Sequence, residues 1–292
     1  MKKIFLGILL SLFLCNFAYA LPFSVDLDKD GTIDTIGENY VDALTYATVG
    51  AVDLTVTSVG VGTASGTFLE TSLIKVNPAN WKGGGITSPE MTIVMEGSGN
   101  FTADYNNTTD AIGDQAFNFS SGNISIYIDD WDTNGTTYYG QPGKTTDGSL
   151  YGANDGALVA QFNLNYGHGT LQSTPGQSDN VDIWSLSTSV LNSGYLFFEG
   201  MKDFADVSNP LTGIFVQMYT NDTNHLLLDT NIIGNMEAEF TENSVMQGSK
   251  TKRIYVRSEG SAKFSVVPEP ATMILLGLGL LSLAGISRKK FV

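Results

Sequence analysis

The sequence predicts an all-β protein, an antiparallel β-sandwich or jelly roll, and three observations predict it. Short runs of alternating apolar residues or dense β-branching recur along the body of the chain. Turn-forming clusters of Gly, Asn, Ser and Pro separate them, and 32 of the 292 residues are glycine. Between the two ends of the chain, no segment carries an apolar 3.6-residue period over three turns. About a dozen short strands with regular turns read as two packed sheets within one domain.

Residues 1–20 read as a secretory signal peptide. Lys2 and Lys3 form its charged start, Ile4 to Leu14 its apolar region, and Ala18-Tyr19-Ala20 its cleavage site. The one cysteine, Cys15, lies inside it, behind a Leu14 too large for a lipoprotein signal. The mature chain is therefore expected to fold without a disulfide. The ectodomain, residues 21–267, is long enough to do so by burial alone.

The mature chain opens on Asp26-Leu27-Asp28-Lys29-Asp30-Gly31-Thr32-Ile33-Asp34. Carboxylates at positions 1, 3 and 5 of such a loop converge on one ion. Gly31 permits the sharp turn, the Thr32 carbonyl adds an oxygen, and Asp34 adds a further carboxylate. Oxygen ligands without His or Cys select calcium over transition metals. The bidentate Glu that closes an EF-hand loop is missing, since Gly37 holds that position and Glu38 comes one residue late. Two readings stand, a relative of the EF-hand loop or a solvated acidic turn. A weaker echo follows the strand Asn123–Asp129: Asp130, Asp132 and Asn134 with Gly135. A strand ending in an Asx-Gly turn explains those residues equally well.

Strands are predicted over 40–49, 52–59, 91–95, 116–119, 124–128, 158–166, 181–190, 195–198, 214–220, 226–229, 236–240, 254–257 and 262–266. Gly83-Gly84-Gly85, Gly97-Ser98-Gly99, Ser121-Gly122 and Asn192-Ser193-Gly194 are among the turns between them. Trp131, Tyr138 and Tyr139 cluster in a stretch rich in Gly and Thr. They read either as a platform for sugar rings or as loop cover.

Composition narrows the partners. Residues 21–267 hold 29 Asp and Glu against 10 Lys and Arg, a net of nineteen negative charges. Nucleic acid and anionic lipid headgroups both need a basic surface, so neither is expected as a partner. Divalent cations suit such a chain. Catalysis is not expected either. His168 and His225 lack partners at metal-ligand spacing, no HExxH or GxSxG string occurs, and the mature chain has no thiol. Carboxylate pairs for glycoside hydrolysis are set by space rather than by spacing, and stay open.

The chain ends in Val267-Pro268-Glu269-Pro270, an uncharged apolar run from Ala271 to Ile286, and Arg288-Lys289-Lys290. The prolines keep their segment extended. As a helix the 16-residue run reaches about 24 Å, against a hydrocarbon core of about 30 Å, and snorkelling basic side chains make up part of the gap. The terminal basic cluster stays cytoplasmic, which leaves the body outside. This order of parts resembles the PEP-CTERM sorting signal of Gram-negative bacteria. The resemblance implies an inner-membrane stage, recognition of Pro268, Glu269 and Pro270 by an exosortase, and transfer to the exterior alongside exopolysaccharide. Phe23-Ser24-Val25-Asp26, the strand Ile124–Asp130 and Gly169-Thr170-Leu171 are similar, more loosely, to flocculation-associated PEP-CTERM proteins.

The expectation is a secreted, non-catalytic surface or matrix protein of a Gram-negative bacterium, associated with exopolysaccharide in flocs or biofilm. Its domains are a signal peptide (1–20), an ectodomain (21–267) and a sorting signal (268–292). The alternatives are a calcium-dependent carbohydrate-binding module and a glycan-active enzyme.

Overall fold

A computed structural model describes residues 21–35, 40–76, 90–106, 111–129, 153–154, 156–171, 180–200, 202–207, 214–225 and 251–266. The signal peptide, the predicted strands at 226–229 and 236–240, and the sorting signal (268–292) lie outside them. Within the described residues, eight long strands form a closed antiparallel barrel. They are β2 (Leu44–Val59), β3 (Thr63–Val76), β4 (Glu90–Asn106), β5 (Ala111–Asp129), β6 (Ala157–Leu171), β7 (Asn180–Leu191), β10 (Ile214–His225) and β11 (Thr251–Val266). Each pairs with its neighbours in chain order, and β11 closes the ring on β2 from Thr251↔Thr55 to Ala262↔Leu44. Between β7 and β10 the chain leaves the wall. There β8 (Leu196–Phe198) and β9 (Lys202–Asp203) join β1 (Phe23–Val25) in a three-stranded sheet, followed by the helical turn α1 (Phe204–Val207).

The all-β, antiparallel expectation holds, but the sandwich or jelly roll gives way to a barrel. The physical reason lies in the glycines. Gly97-Ser98-Gly99, read as a turn, is the middle of β4, and Ser121-Gly122 is inside β5. A Cβ at Gly97 would lie 2.9 Å from the Phe119 ring. One at Gly99 would lie 1.9 Å from the Asn118 carbonyl oxygen, and one at Gly260 would lie 2.7 Å from the Tyr46 hydroxyl. These positions are glycine because an aromatic ring or a neighbouring backbone occupies the space, not because the chain reverses. Segments that read as many short strands are thus eight long ones, each paired on both sides, and the ring closes without the free edges of two sheets.

Strand β3 was not predicted at all. Its inward row runs Ala64, Gly66, Phe68, Glu70, Ser72, Ile74, Val76, and the polar members break the apolar alternation. The interior is otherwise hydrophobic, built from residues such as Leu44, Leu54, Phe68, Phe101, Ile126, Phe162 and Phe264. Thr67, Asn100 and Asn118 stand exposed on the outer face. An apolar inside with a polar outside is the reverse of a membrane-spanning barrel.

The two barrel ends differ. At one end β1, the β8–β9 hairpin and α1 fold over the opening. Phe23 meets Phe264 edge-on at 4.8 Å, and Phe198 stacks on Phe204 at 4.0 Å. The Leu21 N–H donates to the Phe264 carbonyl (2.9 Å), covering the edge of β11 just past its last pair with β2. The opposite end, around the Gly60–Gly62 hairpin, carries no such plug among the described residues.

Candidate metal centre and sorting segment

The acidic segment leaves β1 at the plugged end and returns at once. The Asp34 N–H donates to the Val25 carbonyl (2.8 Å), and the Leu27 N–H donates to Asp34 Oδ2 (2.7 Å), which closes the loop at its base. The Asp26 N–H is anchored to the Tyr195 carbonyl at 2.9 Å. Inside the loop, carboxylates accept from backbone N–H groups further along: Asp26 Oδ2 from Gly31 (2.9 Å), Asp28 Oδ1 from Asp30 (3.1 Å), Asp30 Oδ1 from Thr32 (2.6 Å). Lys29 and Gly31 adopt left-handed backbone, with φ of 60° and 85°. Gly31 does so freely, and it is this pair that coils the loop around its carboxylates.

The coiling gathers one carboxylate oxygen each from Asp26, Asp28 and Asp34 to within 4.8 Å of one another. Asp26 is 2 % exposed, and its Oδ1 has no hydrogen-bond partner. Burial, and then the charges of Asp28 and Asp34, push the Asp26 carboxyl above its ordinary pKa, against the pull of the Gly31 and Lys29 N–H groups. The loop's own cation points elsewhere, with Lys29 Nζ 3.9 Å over the Tyr195 ring. Three hard oxygens at this spacing suit an oxygen-seeking divalent cation that fills the rest of its shell with water.

The sequence-derived ligand set is only partly brought together. Asp26, Asp28 and Asp34 converge. Asp30 is exposed and its carboxylate is taken up by the Thr32 N–H, and Thr32 is itself exposed. The second set (Asp130, Asp132, Asn134) and the aromatics Trp131, Tyr138 and Tyr139 lie outside the described residues. His168 is exposed, with its ring 6.1 Å from that of Tyr166.

Sequence reasoning missed one group with unusual chemistry. Glu70 points into the barrel interior, beside a cavity of about 30 Å³ shared with Tyr46, Thr48, Ser72 and Met218. The Ser72 hydroxyl donates to its Oε1 at 2.7 Å. Desolvation raises the Glu70 pKa to about 7, against the Ser72 hydrogen bond. The only signal in the sequence was a Glu at even spacing from Phe68, Ser72 and Ile74, visible only once β3 is recognised as a strand.

Residues 266–289 match the PEP-CTERM protein-sorting motif. The match begins at the last residue of β11, and it marks the protein as an exosortase substrate directed to secretion or the cell surface. No curated protein and no solved structure matches the chain.

Proposed function

We propose that this exosortase-sorted protein is a non-catalytic surface or matrix component whose displayed barrel is tied off at its plugged end by a calcium ion. Asp26, Asp28 and Asp34 hold the ion. Asp26 and Asp34 flank β1 and the loop base, so bound calcium cancels the mutual repulsion of three carboxylates and locks β1 onto the barrel mouth. The observation that carries the reading is Asp26 Oδ1, a carboxylate oxygen buried beside two other carboxylates with no hydrogen-bond partner. Such an atom is strongly unfavourable unless a cation faces it. On the outside of the cell the acidic body contacts exopolysaccharide and neighbouring copies, with divalent cations bridging like charges. The inner membrane holds the chain only until the exosortase acts.

The test is a thermal melt of residues 21–267 in calcium and in chelator, with Asp26→Asn and Asp34→Asn alongside. Calcium should raise the midpoint of the wild-type chain and of neither variant. Equal midpoints in calcium and chelator for the wild type would remove the ion from the account. The matrix role is read separately, by whether cells lacking the protein still retain their exopolysaccharide and settle as flocs.

A further inference from the structure

The end of the barrel opposite the acidic loop holds a basin of about 690 Å³, lined from the β2–β3 hairpin and from β4, β5 and β6. We propose that this basin is a binding site for an uncharged, polyhydroxylated ligand, a short run of neutral sugar residues. Its size falls in the ordinary range of small-molecule sites.

The lining argues for that chemistry. Ala103, Gln115 and Leu171 are buried and pair across three adjacent strands, Ala103↔Gln115 and Gln115↔Leu171, to make the floor. Exposed hydroxyls of Thr63, Thr102 and Thr170 and the carboxylates of Asp104 and Asp114 make the rim. Gln115 supplies the second, independent observation. It is 6 % exposed, its Nε2 donates to the Gly113 carbonyl at 3.3 Å, and its Oε1 has no hydrogen-bond partner. An amide oxygen buried in that state is costly unless a donor reaches it, and the Gln115 side chain lines the basin.

Among the described residues lining the basin there is no Lys, Arg or His. A lining of that kind disfavours phosphate, sulfate or uronate groups, and the Asp104 carboxylate can accept hydrogen bonds from hydroxyls. The rim threonines both donate and accept, as a sugar hydroxyl does. Among the described residues no aromatic side chain lines the basin, so ring stacking adds nothing there and a single site binds weakly, about millimolar. Many copies on one surface compensate by avidity along a polymer. The basin lies at the far end of the barrel from Val266, where the sorting motif begins, so a tethered protein presents it outward.

The site gives the surface reading a ligand class and rests on that reading only for where the ligand is met. The experiment is saturation-transfer NMR on residues 21–267 with maltohexaose, cellohexaose and chitohexaose. Polygalacturonate serves as the anionic control and glycerol as a small polyol. The expected result is signal from at least one neutral hexamer, none from polygalacturonate or glycerol, and at least a tenfold weaker affinity in Gln115→Met and Thr102→Lys. Thr102 is exposed, so its variant tests the basin even if Gln115→Met disturbs the fold. Absence of signal from all three hexamers up to about 20 mM, preference for polygalacturonate, or affinity unchanged in both variants overturns the proposal. The calcium-dependent melting shift reports on the other end, so its persistence separates failure here from failure of the calcium reading.

Discussion

The two ends of one barrel are built on opposite principles. The end that takes the first described residues is sealed with rings: Phe23, Phe198, Phe204 and Phe264 each pack edge-to-face or stacked on at least one of the others, at 4.0 to 6.4 Å. The far end is ringed by Ser, Thr and Asp around a small buried floor. Both ends face the same eight strands, so the difference lies in the excursions. Only the sealed end receives β1, the β8–β9 hairpin and α1. That end also brings together Leu21, the acidic loop and the last strand before the sorting motif. On the proposed reading, that end serves stability and leads into the sorting motif, and the open end serves a ligand.

The largest effect expected from this contrast is on stability at the sealed end. Phe204 is 1 % exposed and touches three other phenylalanines. Phe204→Ala should destabilise the chain by about 3–5 kcal/mol, since the void lies between rings that cannot collapse into it. Chemical denaturation with a fitted midpoint measures it. A loss below about 1 kcal/mol would mean that the barrel stands without its plug.

The next effect lies between the two ends, at Glu70. Its pKa is near 7 in the folded protein against 4.5 for the free side chain. The folded state therefore holds a proton that the unfolded state has released. The stability tied to that proton is fully present below pH 4.5, falls as pH rises toward 7, and is gone above it. Over that window the fall is about 3 kcal/mol. Glu70→Gln keeps the neutral shape and should flatten the slope between pH 5 and 7. Tyr46, the other titratable side chain at the cavity, is pushed upward by burial and by Asp182, and so stays neutral throughout the window. Melts at half-unit pH steps, wild type against variant, decide it; parallel curves would exclude Glu70 as the source.

Calcium comes third. At a hundred times its dissociation constant an ion adds about 2.7 kcal/mol to the folded state. The Asp26→Asn midpoint should not respond to calcium, whereas Thr102→Val at the open end should respond as the wild type does. Limited proteolysis sharpens the comparison. If the loop holds β1 down, chelator should expose cleavage near Leu21 and at the end of β11, joined by the Leu21–Phe264 hydrogen bond, before it exposes the Gly60–Gly62 hairpin. Simultaneous cleavage at both ends would show that the ion acts on the barrel as a whole.

How much of this was legible in the residues depends on what set each feature. The acidic loop could be read because its spacing is local: Asp26 accepts from the Gly31 N–H and Asp28 from the Asp30 N–H, all within six residues. Asp30 stands apart from the cluster of three carboxylates because a neighbouring N–H, that of Thr32, takes up its carboxylate. The sorting segment was legible because it is a linear order of parts that a membrane and an enzyme read without a fold. The barrel was not, because strand length was hidden by glycines whose reason lies across the sheet. Gly99 answers to Asn118 and Phe68, Gly260 to Tyr219 and Tyr46, and no local pattern holds those partners. Glu70 and Gln115 were invisible for the same reason: each is an ordinary polar residue until the closed ring turns it inward.

The smallest effect expected is the one that isolates the open end. Thr102 and Thr170 are exposed at the basin rim. Removing one hydroxyl as Thr→Val leaves a β-branched residue in the same strand, so stability should move by no more than about 0.5 kcal/mol. A hydroxyl kept for folding would show as a larger loss. A hydroxyl kept for a ligand would leave the melt unmoved and weaken oligosaccharide binding instead. The double variant Thr102→Val/Thr170→Val therefore asks one question with two readouts. An unchanged denaturation midpoint with reduced hexamer signal assigns the rim to recognition. A lowered midpoint with unchanged signal assigns it to the strand ladder and returns the open end to the same structural role as the sealed one.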